Sequence, residues 1–304
     1  MRFRANHITH LLSFILGCGF TVTFFTFNFS PSIEIEKERF DIVLAVLSAP
    51  GNAERRDAIR DSWSSLIGPH TQYLFAIGGQ GVTREQRFQI IQEQKLHGDL
   101  LILPVKDHYR NLTRKVLSVM THLATTYKFK YVLKCDDDTF VNVKAVEASL
   151  KNMPERRFYW GYFSGTARVQ KSGKWREDKW FLCDRYLPYA LGGAYVLSGD
   201  LVLFISNNAD QLSVYNSEDV SVGAWLAPLD ITRRHDPRFD TAHVSRGCKN
   251  DDIAIHRQVP ADIRAFGRRL ADGKDLCEKE FSVVRPYRYN WSVLPSQCCT
   301  TFYE

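Results

Sequence analysis

The chain has no C-x-x-C pair among its seven cysteines, and that spacing is what a structural zinc site ordinarily needs. Long basic runs and nucleic-acid motifs are also missing. The net charge of +6 over 304 residues is modest and reads as a scattered solvated face, so no nucleic-acid partner is expected. There is no internal repeat and no low-complexity segment. Gly78-Gly79-Gln80-Gly81 lacks the dinucleotide-binding spacing and reads as a loop that closes a strand. No acidic residue precedes Glu34, while Arg2 and Arg4 come before an uncharged stretch from Leu11 to Phe29.

That stretch is long enough to span a bilayer, for which about 20 apolar residues suffice. It has no clear small-x-small cleavage site and exceeds a usual signal-peptide core. Basic residues on its N-terminal side hold that end in the cytoplasm. The expected organisation is a cytoplasmic tail (1–7), a transmembrane signal anchor (8–29), a short stem (30–38) and a lumenal catalytic domain (39–304). Beyond Cys18 in the span lie Cys135, Cys183, Cys248, Cys277, Cys298 and Cys299, in keeping with an oxidising compartment. Six cysteines allow fifteen pairings, and the sequence leaves the pairing open. Asn111-Leu-Thr and Asn290-Trp-Ser are glycosylation sequons in the lumenal part, and Asn28-Phe-Ser lies at the membrane edge.

From Phe40 onward strand and helix patterns alternate. Residues 40–47 (FDIVLAVL) read as a buried strand, and Asn52 is placed to cap a helix carrying Ala58, Ile59 and Trp63. Further strands are expected at 72–77 and 100–105. The helices between and after them comprise one opened by a Thr83/Gln86 capping box and one over 112–127. This alternation predicts an α/β fold with a mostly parallel sheet and right-handed crossovers. The second half is less regular: 158–163 is strand-like, and 164–179 is polar and loop-like.

The stretch YVLKCDDDTFVN (131–142) carries the chemistry. A buried strand runs into Asp136, Asp137 and Asp138, whose like charges repel without a counter-ion. A divalent cation with hard oxygen ligands removes that cost. A solvated acidic turn is the bland alternative, but Phe140-Val141 after the aspartates argues for a partly buried loop. An EF-hand starting at Asp136 would need glycine where Val141 stands. A phosphatase-type loop is excluded by Phe140. Ligands of parallel sheets bind beyond the carboxyl ends of strands, where these aspartates lie. Gly192-Gly193 marks either a close approach of ligand or backbone, or a tight bend. Ser217-Glu218-Asp219 reads as a helix start, where acids stabilise the dipole without any catalysis.

Five ordered blocks then resemble the β-1,3-glycosyltransferases of the Golgi, inverting enzymes with the GT-A fold. They are RRDAIRDSW (55–63), DHYRNLTRK (107–115), KCDDDTFVN (134–142), YALGGAYVLS (189–198) and EDVSVG (218–223). Ser62 replaces a threonine common in the family. The later segments AWLAPLDITRRHDPRFDT (224–241) and PSQCC (295–299) are most like the branch that builds the glycosaminoglycan linker. The resemblance implies a single-pass type II Golgi enzyme. It would move galactose from UDP-galactose to a galactosyl-xylosyl proteoglycan acceptor, with Mn²⁺ as cofactor and room for association with other linker-pathway enzymes. It implies Asp136, Asp138 and His256 as metal ligands, with His235 a rival to His256. Arg60, Asp107, Lys115, Asp136, Asp137, Gly192 and Gly193 are implied at the donor. Asp219 is implied as the catalytic base, with Glu218 its rival.

Two other readings compete. A sibling could transfer N-acetylglucosamine or act on glycoprotein and glycolipid glycans. A carbohydrate-binding pseudo-enzyme would have no need for both the aspartate triplet and the EDVSVG acid.

Overall fold

The computed structural model describes residues 37–303. The expected tail, anchor and nearly all of the stem lie outside them. Among the described residues no helix is long and apolar enough to cross a membrane.

The first strand sets the frame. In β1 (Arg39–Leu47), Ile42, Leu44 and Val46 pack into one apolar layer, and Val43, Ala45 and Leu47 into the other. A strand alternates sides at every residue, so burial on both faces gives the continuous apolar run of a covered parallel strand. The chain moves outward through α1 (Ala53–Arg60), β2 (Thr71–Gln80), α2 (Arg84–His97) and β3 (Leu100–Lys106). It returns through α3 (Leu112–Thr126) to β4 (Lys128–Asp136), which pairs with the other edge of β1. The capping box of α2 forms as expected: Gln86 N donates to Thr83 Oγ1 (3.1 Å) and Thr83 N to Gln86 Oε1 (3.0 Å). Asn52 sits at the N-cap of α1 without capping it; its amide is used elsewhere.

Next come β5 (Thr139–Val141), α4 (Val143–Leu150), β6 (Phe158–Ser164), β7 (Tyr189–Ser198), α5 (Gly199–Asn207), α6 (Glu218–Leu226) and β8 (Thr232–His235). The main sheet has the order β3-β2-β1-β4-β7-β6-β8. Pairs β2/β3, β1/β2, β1/β4 and β6/β8 are parallel, whereas β7 is antiparallel to both neighbours. Helices α3, α5 and α6 contribute to one apolar layer and α1, α2 and α4 to the other. This mixed α/β architecture with a mostly parallel central sheet fits the GT-A expectation.

Two features position the site. Because β2–β3 and β4 leave β1 on opposite sides, the order reverses between β1 and β4, where Leu47 lies in register with Asp136. Such a switch point opens a crevice beyond the strand ends. A small sheet then brings in the distant C-terminal part. There β11 (Ala254–His256) lies between β5 and β9 (Phe239–Asp240), with His256 opposite Thr139, while the intervening β10 (Gly247–Cys248) belongs to a separate strand pair.

Cysteine pairing, open from sequence, is Cys248–Cys277 and Cys298–Cys299, with Cys135 buried and Cys183 exposed as free thiols. Asn290 is exposed, whereas Asn111 is half-buried and donates its amide to the Lys106 carbonyl.

Phe140 anchors the small sheet. It is fully buried, pairs with Ile255 and meets Phe266 at 5.1 Å between ring centroids on α7 (Pro260–Ala271). Phe140→Ala is expected to cost about 3–5 kcal/mol of stability, read from a denaturant midpoint. A loss under about 1 kcal/mol would show that this sheet is not held by its core.

Candidate active site

The turn after β4 divides the three aspartates by orientation. Asp137 points inward, where it accepts from Ser48 Oγ (2.7 Å), Asn52 Nδ2 (2.8 Å) and Arg55 Nη1 (2.9 Å). Burial pushes its pKa up, against the downward pull of these donors. Asp137 thus ties β4 to the loop after β1 and does not line the cavity, contrary to its expected place at the donor. Asp136 and Asp138 do line it. Burial also pushes Asp138 up, but the hydrogen bond from His256 and the charge of Arg55 outweigh it and hold the carboxyl below its usual range. His256 Nδ1 lies 3.1 Å from Asp138 Oδ1 and 3.2 Å from Thr139 Oγ1. Ligand atoms of Asp136, Asp138 and His256 all fall within 4.8 Å of one another. Two carboxylates and an imidazole at that separation fit one divalent cation.

His235, the rival ligand, is elsewhere. Its Nδ1 accepts from Phe163 N (3.1 Å), its Nε2 donates to the Tyr287 carbonyl (2.9 Å), and it stacks on the Tyr287 ring. Burial lowers its pKa to about 4. It is a satisfied core histidine.

Gly192 and Gly193 lie inside β7 and not in a bend. A Cβ on Gly192 would sit 2.7 Å from Glu218 Oε1, and one on Gly193 would sit 2.9 Å from His256 Cγ. The pair is glycine because functional side chains press against the strand from α6 and from β11. Lys134 passes under this floor. Its ammonium is 2.9 Å from Asp136 Oδ1 and 2.5 Å from Glu218 Oε1, and it also donates to the Gly192 carbonyl. Burial works against the charge, but the two carboxylates outweigh it and hold the lysine pKa above its ordinary value. Glu218 is buried as well. Its Oε2 accepts from the Tyr195 hydroxyl (3.1 Å), and burial pushes its pKa up to about 7.

The next residue behaves differently. Asp219 is half-buried and lines the cavity. Its Oδ2 accepts from Gly192 N (3.0 Å) and its Oδ1 from Val220 N (2.8 Å). Burial raises its pKa, opposed by those amides and by Lys134.

The remaining expected donor residues are not on this surface. Arg60 packs over the Phe75 ring and is held by Asp99, Glu93 and Asp57. Lys115 is buried, bonded to Asp107 Oδ1 and to the Ser48 carbonyl, while Asp107 also accepts from Gly78 N. Together they fasten the ends of β1, β2 and β3 behind the cavity wall. The arginine of the first block that does reach the aspartates is Arg55, whose Nη1 also lies 3.2 Å from Asp138 Oδ2. Sequence reading missed Arg55 and Lys134. For Lys134 a signal existed, a lysine inside the apolar strand run YVLKC two residues before the first aspartate.

The cavity measures about 730 Å³, within the range of small-molecule sites. Besides the carboxylates, His256 and the glycines, its walls carry Tyr109, Trp175, Tyr186 and Tyr189.

Comparison with known proteins places these residues in a known setting. The family model described as Galactosyltransferase matches residues 54–237. The mouse (Mus musculus) protein named Beta-1,3-galactosyltransferase 6 is 46% identical over 266 residues, covering 85% of this chain and 82% of that protein. The Arabidopsis thaliana protein Hydroxyproline O-galactosyltransferase GALT5 is 31% identical over 249 residues, 78% of this chain and 36% of its own length. Mouse UDP-GalNAc:beta-1,3-N-acetylgalactosaminyltransferase 2 is 33% identical over 188 residues, 61% of this chain and 36% of its own. The chain therefore spans about a third of the length of the last two.

Lys134 and Glu218 are a buried ion pair, so removing one partner strands the other. Lys134→Met alone is expected to cost about 3–5 kcal/mol. In the Lys134→Met/Glu218→Gln double variant the loss should fall short of the sum by about 1–3 kcal/mol, measured by urea unfolding. Strict additivity would contradict the pairing.

Proposed function

The chain belongs to the galactosyltransferase family, and from that premise we propose an inverting, metal-dependent transfer of galactose from UDP-galactose. It is a β-1,3-galactosyltransferase. The acceptor we propose is the 3-hydroxyl of galactose in the galactosyl-xylosyl linker of proteoglycans. Supporting this choice is the 46% identity to Beta-1,3-galactosyltransferase 6 over most of both chains. The uncharged span after Arg4 supports a single-pass type II anchor in the Golgi membrane.

One observation carries the reaction type: the Asp136/Asp138/His256 cluster and the Asp219 carboxylate open into the same cavity. A divalent cation on the cluster would offset the diphosphate charge of departing UDP, a contribution of several kcal/mol. Arg55, beside Asp138 and on the cavity wall, adds a fixed positive charge on that side. Inversion is a single displacement, so the acceptor hydroxyl attacks the face opposite UDP and the base stands across the donor sugar from the cluster. Asp219 suits that role. It is exposed to the cavity, its carboxylate is oriented by two backbone amides, and burial gives it more basicity than an ordinary aspartate. Glu218 does not suit it, because Lys134 and Tyr195 occupy both its oxygens in a buried position.

Asp219→Asn is expected to lower turnover about 10²–10⁴-fold, the usual worth of general-base assistance, with Mn²⁺ and UDP affinity within about twofold of the unmodified enzyme. Glu218→Gln should act mainly through stability. Near-normal turnover of Asp219→Asn would exclude it as the base.

Asp138→Ala should abolish Mn²⁺-dependent UDP binding by calorimetry, and excess chelator should abolish transfer. A donor-by-acceptor assay then tests specificity. UDP-galactose with a β-1,4-galactosyl-xyloside acceptor is expected to give the highest kcat/KM. Preference for UDP-N-acetylgalactosamine or UDP-N-acetylglucosamine would move the chain to a sibling activity.

A further inference from the structure

The mechanism above leaves the aromatic part of the cavity without a role. Its most exposed member is Trp175, in the segment between β6 and β7. The indole is 41% exposed yet lines the cavity, edge-on to His243 with ring centroids 5.4 Å apart. A large flat ring left open on a cavity wall is contact surface awaiting a partner.

The backbone on either side of this ring is held in place from one residue. The Asn216 side-chain amide donates to both carbonyls flanking Trp175, that of Lys174 at 3.2 Å and that of Arg176 at 3.0 Å. Asn216 N donates to Glu177 Oε2 (2.6 Å), and Glu177, itself buried, also accepts from Lys179 N (2.7 Å). Lys174 lies 4.6 Å over the Tyr109 ring, and the Tyr109 hydroxyl is 3.4 Å from Ser217 Oγ. So one short run of chain, Asn216 to Asp219, carries at one end the clamp on Trp175 and at the other the carboxylate assigned as base.

We infer that Trp175, positioned by Asn216, is the platform for the acceptor sugar, a terminal β-galactoside, stacked on the indole with its 3-hydroxyl toward Asp219. The inference rests on the galactosyl-transfer reading above. Trp175, Asp219 and the cation cluster all line the same cavity, and the run Asn216 to Asp219 ties the Trp175 segment to the carboxylate assigned as base. An in-line displacement requires the acceptor hydroxyl across the anomeric carbon from UDP and beside that base, and a sugar seated on Trp175 has its hydroxyl on the base's side of the cavity. The ligand class follows from shape. In β-galactopyranose the axial 4-hydroxyl leaves the hydrogens on C3, C4 and C5 on a single face, forming an apolar patch that fits an indole. The ring's hydroxyls then point to the edge, where a carboxylate can receive a proton.

The test uses the detergent-solubilised full chain. Binding of methyl β-galactoside to the enzyme loaded with UDP and Mg²⁺, a diamagnetic substitute for Mn²⁺, is followed by saturation-transfer NMR, which needs no turnover. The expected result is saturation strongest at H3, H4 and H5, lost in Trp175→Ala and largely retained in Trp175→Phe. In transfer assays Trp175→Ala should raise acceptor KM about 10-fold or more, about 1.4 kcal/mol, with donor KM within about twofold. Asn216→Ala should shift acceptor KM in the same direction. Unchanged galactoside binding in Trp175→Ala, or a parallel rise in donor KM, overturns the platform. Failure of the unmodified enzyme to transfer galactose to any galactoside overturns the reaction instead, and the binding arm still decides the platform.

Discussion

A single buried ammonium group governs the architecture of this site. Lys134 sits near the carboxyl end of a central strand with its side chain 1% exposed, where an unpaired charge would cost several kcal/mol. Two carboxylates and one carbonyl relieve that cost. Asp136 comes from the same strand two residues on, hence from the same face. Glu218 comes from the first turn of α6, and the Gly192 carbonyl from the neighbouring strand. To deliver Glu218 the helix must come down onto β7, close enough that residue 192 has no room for a Cβ. Once the helix is seated, Asp219 has little freedom. Its place beside the cavity follows from a charge that never meets the substrate.

The same logic explains the division of labour among neighbouring acids. Adjacent residues in a helix start or a turn point in different directions, so one of each pair is drawn into the protein and the other is left facing the cavity. Asp137 and Glu218 are the inward members, saturated by Ser48, Asn52 and Arg55 in one case and by Lys134 and Tyr195 in the other. Asp138 and Asp219 are the outward members. The first-turn position of Asp219 also places its negative charge at the positive end of the helix dipole, which favours the ionised form that burial disfavours.

Much of this was legible in the sequence, for identifiable reasons. Strands β1 and β4 are covered on both faces and so read as unbroken apolar runs; the capping box announced α2; three aspartates at a strand end announced a cation site. His256 was recoverable only through the position that the family resemblance implies for a C-terminal histidine, since it reaches Asp138 by a pairing between segments more than a hundred residues apart. What could not be read was direction. Arg55 and Arg60 lie on one short helix, and only tertiary packing decides that the first meets the aspartates while the second joins Asp99 and Glu93. Lys115 and Asp107 have the residue types of a phosphate site, yet they are consumed in fastening strand ends. Asn52 has a capping residue's position, but its amide has a stronger claim from the buried Asp137. In each case a buried partner outcompeted the local role.

The two parts of the cavity are also built differently, and this bears on how such a site changes. The cation cluster rests on β4, β5 and β11, elements whose register is fixed by the sheet, with Phe140 locked in the core beneath them. Trp175 instead rides on a segment outside the sheet, fixed by a handful of hydrogen bonds to Asn216 and Glu177. A loop held this way tolerates substitution without disturbing the strands. Chemistry common to sugar-nucleotide transfer can therefore stay with the sheet while acceptor choice varies with the loop. Because Asn216 also leads directly into the helix bearing Asp219, a change in the loop still reports to the proposed base, and a new acceptor surface would remain aligned with the carboxylate assigned to receive the proton.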